Sequence, residues 1–471
     1  MNLPNRAGRT AAATALALLL LCITAPAPFA REASDAVQAE NAFFRGSHLL
    51  SRDSLTEAVA ALESAVKLDP DNPKYKQVLA VAYNNLGLKL NREGKITESV
   101  RALDEALSLT PEDNDIRANL IQALLQVTAA PDQQVKPEDK IALLQRLLEL
   151  EPANVSGRKA LAAVLNNDGV AKGRQGNRTE EVARLEQAAA LDPNPKIKKN
   201  LATAYYNLGL EKGKSSLFQE EIELIKKALI LAPKDPAMTG SLARALSDLA
   251  VVKGKEGDLT GQIELLNQSL ELVPTDPVTR KNLAAAYNNL AMSETPDLTT
   301  SDRISRLEAA LKLDPKNQTT VNNLCDLLVR EAIGEFKQGS VTKALELLNK
   351  AAKFDPKNKA VVTNLAAVYH NQALKHGQEG KHEEEIRLLR KALSFVPEGT
   401  EIKADLAMAY NDYAVSLGKK GDSKQEIAYL TKAAQLLPDN KVIQENLARA
   451  KQKGAAKPKK PEVSKKKDKA D

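Results

Sequence analysis

Asn364-Leu365-Ala366-Ala367-Val368-Tyr369-His370-Asn371 is one copy of a phrase that returns along nearly the whole chain. Relatives read Asn282-Leu283-Ala284-Ala285-Ala286-Tyr287-Asn288-Asn289 and Asn200-Leu201-Ala202-Thr203-Ala204-Tyr205-Tyr206-Asn207. Downstream of each copy an apolar-periodic stretch closes on a proline, as in Ala392-Leu393-Ser394-Phe395-Val396-Pro397. The closing prolines are Pro70, Pro111, Pro152, Pro193, Pro233, Pro274, Pro315, Pro356, Pro397 and Pro438, spaced by 41 with one step of 40 after Pro193. A leucine column from Leu79 to Leu447 keeps the same register without exception. A fixed period of this size marks a repeat array.

Each unit reads as two helices. Gly94, Gly176, Gly257, Gly339, Gly380 and Gly421 lie seventeen residues before their prolines and mark the turn, where a positive φ costs glycine little. After the turn, apolar residues fall at helical spacing, as in Ile386, Leu389, Ala392, Leu393 and Phe395. Before it runs a longer helix, for example Lys359 to about Lys375. The closing proline cannot continue the second helix and sets the hinge into the next unit. Pro131 to Pro137 and Thr295-Pro296-Asp297 replace the glycine turn in the third and seventh units and are expected to be surface loops.

These units resemble the tetratricopeptide repeat family. Gly380, Ile386, Leu389, Ala392 and Pro397 stand at the family's turn, apolar, small and proline positions, and Asp69-Pro70, Asp192-Pro193, Asp314-Pro315 and Asp355-Pro356 keep its acidic residue before the proline. The resemblance implies an all-α fold, a right-handed superhelical solenoid of about ten helix-turn-helix units with capping helices over 31–450. The family's usual unit has 34 residues, so this chain is read as a variant with an extended 41-residue unit. The seven extra residues fall inside the first helix, lengthening it by about 10 Å and turning its face by only about 20°. Glu181, Glu221, Gln262 and Glu385 replace the family's small residue in the second helix. Looser packing or snorkelling side chains are expected there.

Composition narrows the function classes. The 471 residues carry 3% aromatics and no Trp, fewer than a large globular core uses. The net charge of +6 comes from the ends: the last 21 residues hold +6 and the first thirty +2, leaving the body 31–450 at −2. A nucleic-acid groove needs a concentrated basic stripe and is not expected. Cys22 and Cys325 form no disulfide framework, and Cys325 reads as a small buried thiol. His48, His370, His376 and His382 are not spaced as helical metal ligands. No phosphate loop, nucleophile grouping or carboxylate pair stands out. The chain is read as non-enzymatic, without cofactor or metal.

The polar residues with a pattern are asparagines. One column runs Asn119, Asn200, Asn282, Asn323, Asn364 and Asn446, with Asp405 in register; seven residues on runs Asn85, Asn167, Asn207, Asn289 and Asn371, with Asp248 and Asp412. Asn inside a helix costs roughly 0.6 kcal/mol relative to Ala, so an offsetting interaction is expected. The resemblance places this face on the concave groove, where an amide that donates and accepts suits the main chain of an extended peptide. The same amides could instead bond a neighbouring helix and fix the stacking. Ala163, Ala285 and Ala367 leave room beside them, and Lys159, Lys199 and Lys281 share the face.

The ends read as address and tail. Arg6 and Arg9 precede an apolar run from Ala11 to Ile23 and small residues through Ala30, the layout of a secretory signal peptide over 1–30. Export to the periplasm or exterior is expected, with retention as an N-terminal membrane anchor the alternative. Residues 451–471 hold nine Lys and read as a disordered tail able to touch an anionic envelope polymer or lipid. The expected function is an exported scaffold binding a protein or peptide partner in its groove. The alternative is a spacer or assembly subunit of a cell-envelope complex, contacting partners through caps and tail.

Overall fold

The structure, a computed structural model, describes residues 27–131, 135–296 and 298–455. Of the signal segment 1–30 only 27–30 are described, at the start of the first helix, and of the tail 451–471, expected to be disordered, only 451–455, which continue the last helix instead; the rest of both lies outside the described residues. The chain divides into two compact units, Met1–Thr239 and Gly240–Asp471. Among the described residues there are 21 helices.

The first unit holds α1 (Ala27–Ser51), α2 (Leu55–Leu68), α3 (Pro73–Arg92), α4 (Ile96–Leu109), α5 (Asn114–Gln126), α6 (Pro137–Leu150), α7 (Val155–Arg174), α8 (Arg178–Leu191), α9 (Pro195–Lys214) and α10 (Phe218–Leu231). The second holds most of α11 (Pro236–Lys255), then α12 (Leu259–Leu272), α13 (Pro277–Met292), α14 (Thr300–Leu313), α15 (Gln318–Lys337), α16 (Val341–Phe354), α17 (Lys359–Gln378), α18 (His382–Phe395), α19 (Thr400–Lys419), α20 (Ser423–Leu436) and α21 (Lys441–Ala455). Odd-numbered helices, most of them 20 residues long but α5 only 13, alternate with even-numbered ones of 14 residues. This is a tetratricopeptide-like array of about ten helix pairs.

Local chemistry sets the boundaries. The six turn glycines all take a positive φ, from 71° to 91°. Asp53 and Ser216, at φ 59° and 60°, fill the same register where glycine is missing; a short polar side chain tolerates this region better than a branched one. The long helices start on side-chain caps: Asn72, Asp113, Asn154, Asn194, Asp276, Asn317 and Asn358 each accept a backbone N–H of the first turn. Such a cap stabilises a helix by about 1 kcal/mol.

The core is made of small and medium aliphatics. Leu62, Leu103, Leu144, Leu185, Ile225, Leu266, Leu307 and Leu348, all from the even helices, are fully or almost fully buried. Cys325 is buried too; its thiol points at the Ala351 carbonyl at 3.7 Å, and burial pushes its pKa up to about 11. The N-terminal cap helix starts at Ala27, before the 31–450 span expected for the array. Its Phe43 stacks on Tyr75 at 4.8 Å, whereas Phe44 is exposed.

Two expectations are corrected. The acidic residues of the second helices neither loosen the packing nor snorkel. Glu181 and Glu221 are buried, and the long helix of the same pair makes room with a glycine. A Cβ on Gly173, Gly213, Gly254, Gly377 or Gly418 would sit 2.1–2.6 Å from the end group of Glu181, Glu221, Gln262, Glu385 or Glu426. Nor is the loop of the third unit wholly at the surface, because Ala130 and Val135 are buried in the core of α4–α7. In the seventh unit Arg303 ties the loop down, donating to the carbonyls of Ala291, Ser293, Thr295 and Leu298.

Candidate interaction surface

Each long helix buries two sides and leaves one stripe open. On α7 the stripe is Lys159, Ala163, Asn167 and Ala171; on α13 it is Lys281, Ala285, Asn289 and Met292. Steps of three and four residues keep such positions on one helical face. Within α9 the same register gives exposed Lys199 and Thr203 with half-buried Asn207; within α3, Val81 is exposed and Asn85 half-buried. On α17 it gives Thr363, Ala367 and Asn371, all exposed.

The two asparagine columns therefore part company. The second column lies on the open stripe, while the first is turned into the seam between consecutive long helices. Asn119 Nδ2 donates to Asn84 Oδ1 at 2.9 Å, and Asn200 Nδ2 to Asn166 Oδ1 at 2.8 Å. In the second unit, Asn323 donates to Asn288 at 2.9 Å and Asn446 to Asn411 at 2.8 Å. Each bond joins two long helices of successive pairs. At the α17–α19 seam the rung is made by different groups: His370 Nε2 lies 2.6 Å from Asp405 Oδ2.

The partner residues form a third column that the sequence reading missed. Asn84, Asn166, Asn288, His370 and Asn411 each precede a second-column residue. Their signal was the doublet itself, Asn84-Asn85, Asn166-Asn167 and Asn288-Asn289, which the opening phrase contains. The doublets relay the bond outward. Asn166 Nδ2 donates to Asn167 Oδ1 at 3.3 Å, Asn288 Nδ2 to Asn289 Oδ1 at 3.5 Å, and Asn411 Nδ2 to Asp412 Oδ1 at 3.0 Å. An amide whose oxygen is engaged in this way presents its NH₂ group outward.

The remaining first-column residues show what a rung requires. Asn364 faces a seam where the third-column residue is Val329, and it donates instead to its own helix at Ala360 O, 2.8 Å away. Asn371, in the second column, likewise donates to Ala367 O at 2.9 Å. Asn282 faces Ser247 and lines an open cleft. The structure thus ties Asn119, Asn200 and Asn323 to stacking and leaves Asn167 and Asn289 directed outward.

Solved structures that the chain resembles are repeat proteins of the same type. The TPR domain of P58(IPK) matches at 18% identity over 89% of this chain and 99% of that one, with a TM-score of 0.20. YrrB, a TPR protein with an unusual peptide-binding site, matches at 18% identity over 46% and 95%, with a TM-score of 0.20. A TPR repeats protein from Bacteroides fragilis matches at 15% identity over 54% and 98%, with a TM-score of 0.25. TM-scores this low mean that the chains do not superpose as wholes, so the fold rests on the helix pairs themselves. No family model and no curated protein matches the chain.

Proposed function

We propose that this tetratricopeptide-like array, built on an extended 41-residue unit, is a non-enzymatic scaffold that binds an extended segment of another protein along the open stripes of its long helices. The observation that carries this reading is the exposed position of the second-column amides Asn167 and Asn289 on the open stripes, their oxygens approached by the amides behind them at 3.3 and 3.5 Å. An amide fixed in orientation loses less rotamer freedom on meeting a ligand, and it can pair with a main chain whatever its side chains. Ala163, Ala285 and Ala367 keep the adjoining surface low enough for a backbone to approach. Lys159, Lys199 and Lys281, at one end of their stripes, favour an acidic segment or a chain terminus.

Export belongs to the proposal on the sequence of 1–30 alone, and a contact of the tail with anionic envelope polymer on its Lys content. Separation of cell compartments, followed by detection of the chain outside the cytoplasm, tests the address. The surface is tested by selecting displayed random peptides on the immobilised full chain. The variant with Asn167, Asn207, Asn289 and Asn371 all changed to Ala is expected to lose at least tenfold in affinity for the selected peptides while it stays folded by circular dichroism. Peptides that bind this variant as tightly as the parent would refute the surface.

A further inference from the structure

The seam between α11 and α13, inside the second unit, lacks the amide rung found at four others. Asn282 stands in the first column, but the position facing it is Ser247, whose hydroxymethyl group is shorter than the asparagine side chain of the other seams. Among the described residues Asn282 makes no side-chain hydrogen bond. In place of the rung lies a cleft of about 370 Å³ lined by Gly240, Arg244, Ser247, Asp248, Thr279 and Asn282.

The floor of this cleft is polar and buried. Ser269, Thr279 and Ser247 are only 1%, 3% and 7% exposed. Ser269 Oγ donates to the Ala243 carbonyl at 2.7 Å, but the Ser269–Thr279 and Thr279–Ser247 hydroxyl pairs are both 3.4 Å apart. That is long for a hydroxyl pair, and the Thr279 hydroxyl is also hydrogen bonded to the Asp276 carboxylate; each hydroxyl oxygen can still accept a further bond. Burial also raises the pKa of the Asp248 carboxyl, with Arg244 one turn away opposing the shift.

We propose that this missing rung is a binding site for a primary carboxamide, the group that the other seams supply from within the chain. At those seams the first-column NH₂ donates to an amide oxygen, and at three of the four that amide passes its own NH₂ on to the second column. A carboxamide seated between Asn282 and Asp248 repeats the relay. Its oxygen accepts from Asn282 Nδ2, and its NH₂ donates to the Asp248 carboxylate and the Ser247 or Thr279 hydroxyl. A carboxylate of the same shape brings no donor for Asp248, and an alkyl group brings neither donor nor acceptor. The volume lies at the small end of ligand pockets and suits one side chain. The carboxamide has two sources, a Gln or Asn side chain of a bound peptide or free glutamine; the peptide source rests on the surface proposed above, while the pocket chemistry does not.

Ligand-observed saturation-transfer NMR on the full chain tests this with N-acetyl-L-glutamine methylamide, its glutamate and leucine counterparts, and free L-glutamine. The blocked glutamine is expected to bind saturably, at least tenfold more tightly than the glutamate compound. Ser247→Asn, which supplies the rung internally, is expected to weaken it at least tenfold. Thr279→Val, expected to weaken it severalfold, serves if the first variant does not fold. Tighter binding of the blocked compound than of free glutamine supports the peptide source, and the reverse order supports the free amide. Absent binding of both glutamine compounds, equal or tighter binding of the glutamate compound, or binding indifferent to both Ser247→Asn and Thr279→Val overturns the proposal. Because the probes are single residues, a failed peptide selection on the open stripes leaves this result intact.

Discussion

The α7–α9 seam of the first unit and the α11–α13 seam of the second carry the same first-column residue and use it differently. Asn200 meets Asn166 and closes its seam with a 2.8 Å bond. Asn282 meets Ser247, and a cleft of about 370 Å³ stands where the bond would be. One side chain across the seam decides whether an asparagine in this column holds two helices together or faces a void. The column therefore has no single role, and its residues divide by what opposes them.

The largest effect expected from this contrast follows from Asn166→Ala. Asn166 is 3% exposed, accepts from Asn200 and donates to Asn167. Its loss leaves a half-buried donor without a partner, which costs about 1–3 kcal/mol and lowers the unfolding midpoint in urea. The matching change Ser247→Ala at the open seam removes only a long hydroxyl contact and is expected to cost about 0.5 kcal/mol, the low end for a single hydrogen bond.

A control shows that the difference is confined to the rung. Gly173 against Glu181 and Gly254 against Gln262 pack alike in the two regions, with an added Cβ 2.1 Å and 2.6 Å from the nearest opposing side-chain atom. Gly173→Ala and Gly254→Ala each push aside the end of a flexible side chain and gain helix propensity, so each is expected to destabilise by a similar amount, no more than about 1 kcal/mol. Thermal unfolding that gives the two variants Tm losses more than twofold apart would show a wider difference between the regions than the rung accounts for.

The smallest expected effect is electrostatic. Asp248 stands in the second-column register of Asn167 and Asn207, and burial raises its folded-state pKa above the ordinary value. Its contribution to stability is thus fully present below the unfolded pKa, about 3.9, and is lost as pH rises through the folded value. Asp248→Asn is expected to be slightly more stable than the parent at neutral pH, the gap closing as pH falls into the range below 4. Tm measured against pH checks the sign, and a gap that widens on acidification contradicts it.

Much of the fold was legible because it is written as register. The turn glycines announced a positive φ by type alone, and all six have it. Asp53 and Ser216 were not seen, since any residue can be forced into a position that its neighbours over-determine. The Gly173–Glu181 kind of pairing was missed for a different reason: each partner looks like a blemish in its own helix, and only packing shows that they complement each other. The site was half legible. Two columns seven residues apart suggested one face, yet the first column bonds across the seam to the preceding long helix. The third column lay in plain view within the Asn-Asn doublets. Their meaning depends on which residue the next helix brings opposite, and no property of a single helix contains that.

The central claim is that first-column asparagines act through the residue across the seam. Paired double-mutant cycles test it most directly, with Asn200→Ala and Asn166→Ala in one and Asn282→Ala and Ser247→Ala in the other, each read as urea-unfolding free energy. The account predicts a coupling of about 0.5–3 kcal/mol for the first pair, as for residues in contact, and less than about 0.5 kcal/mol for the second. Couplings of equal size at the two seams would contradict it.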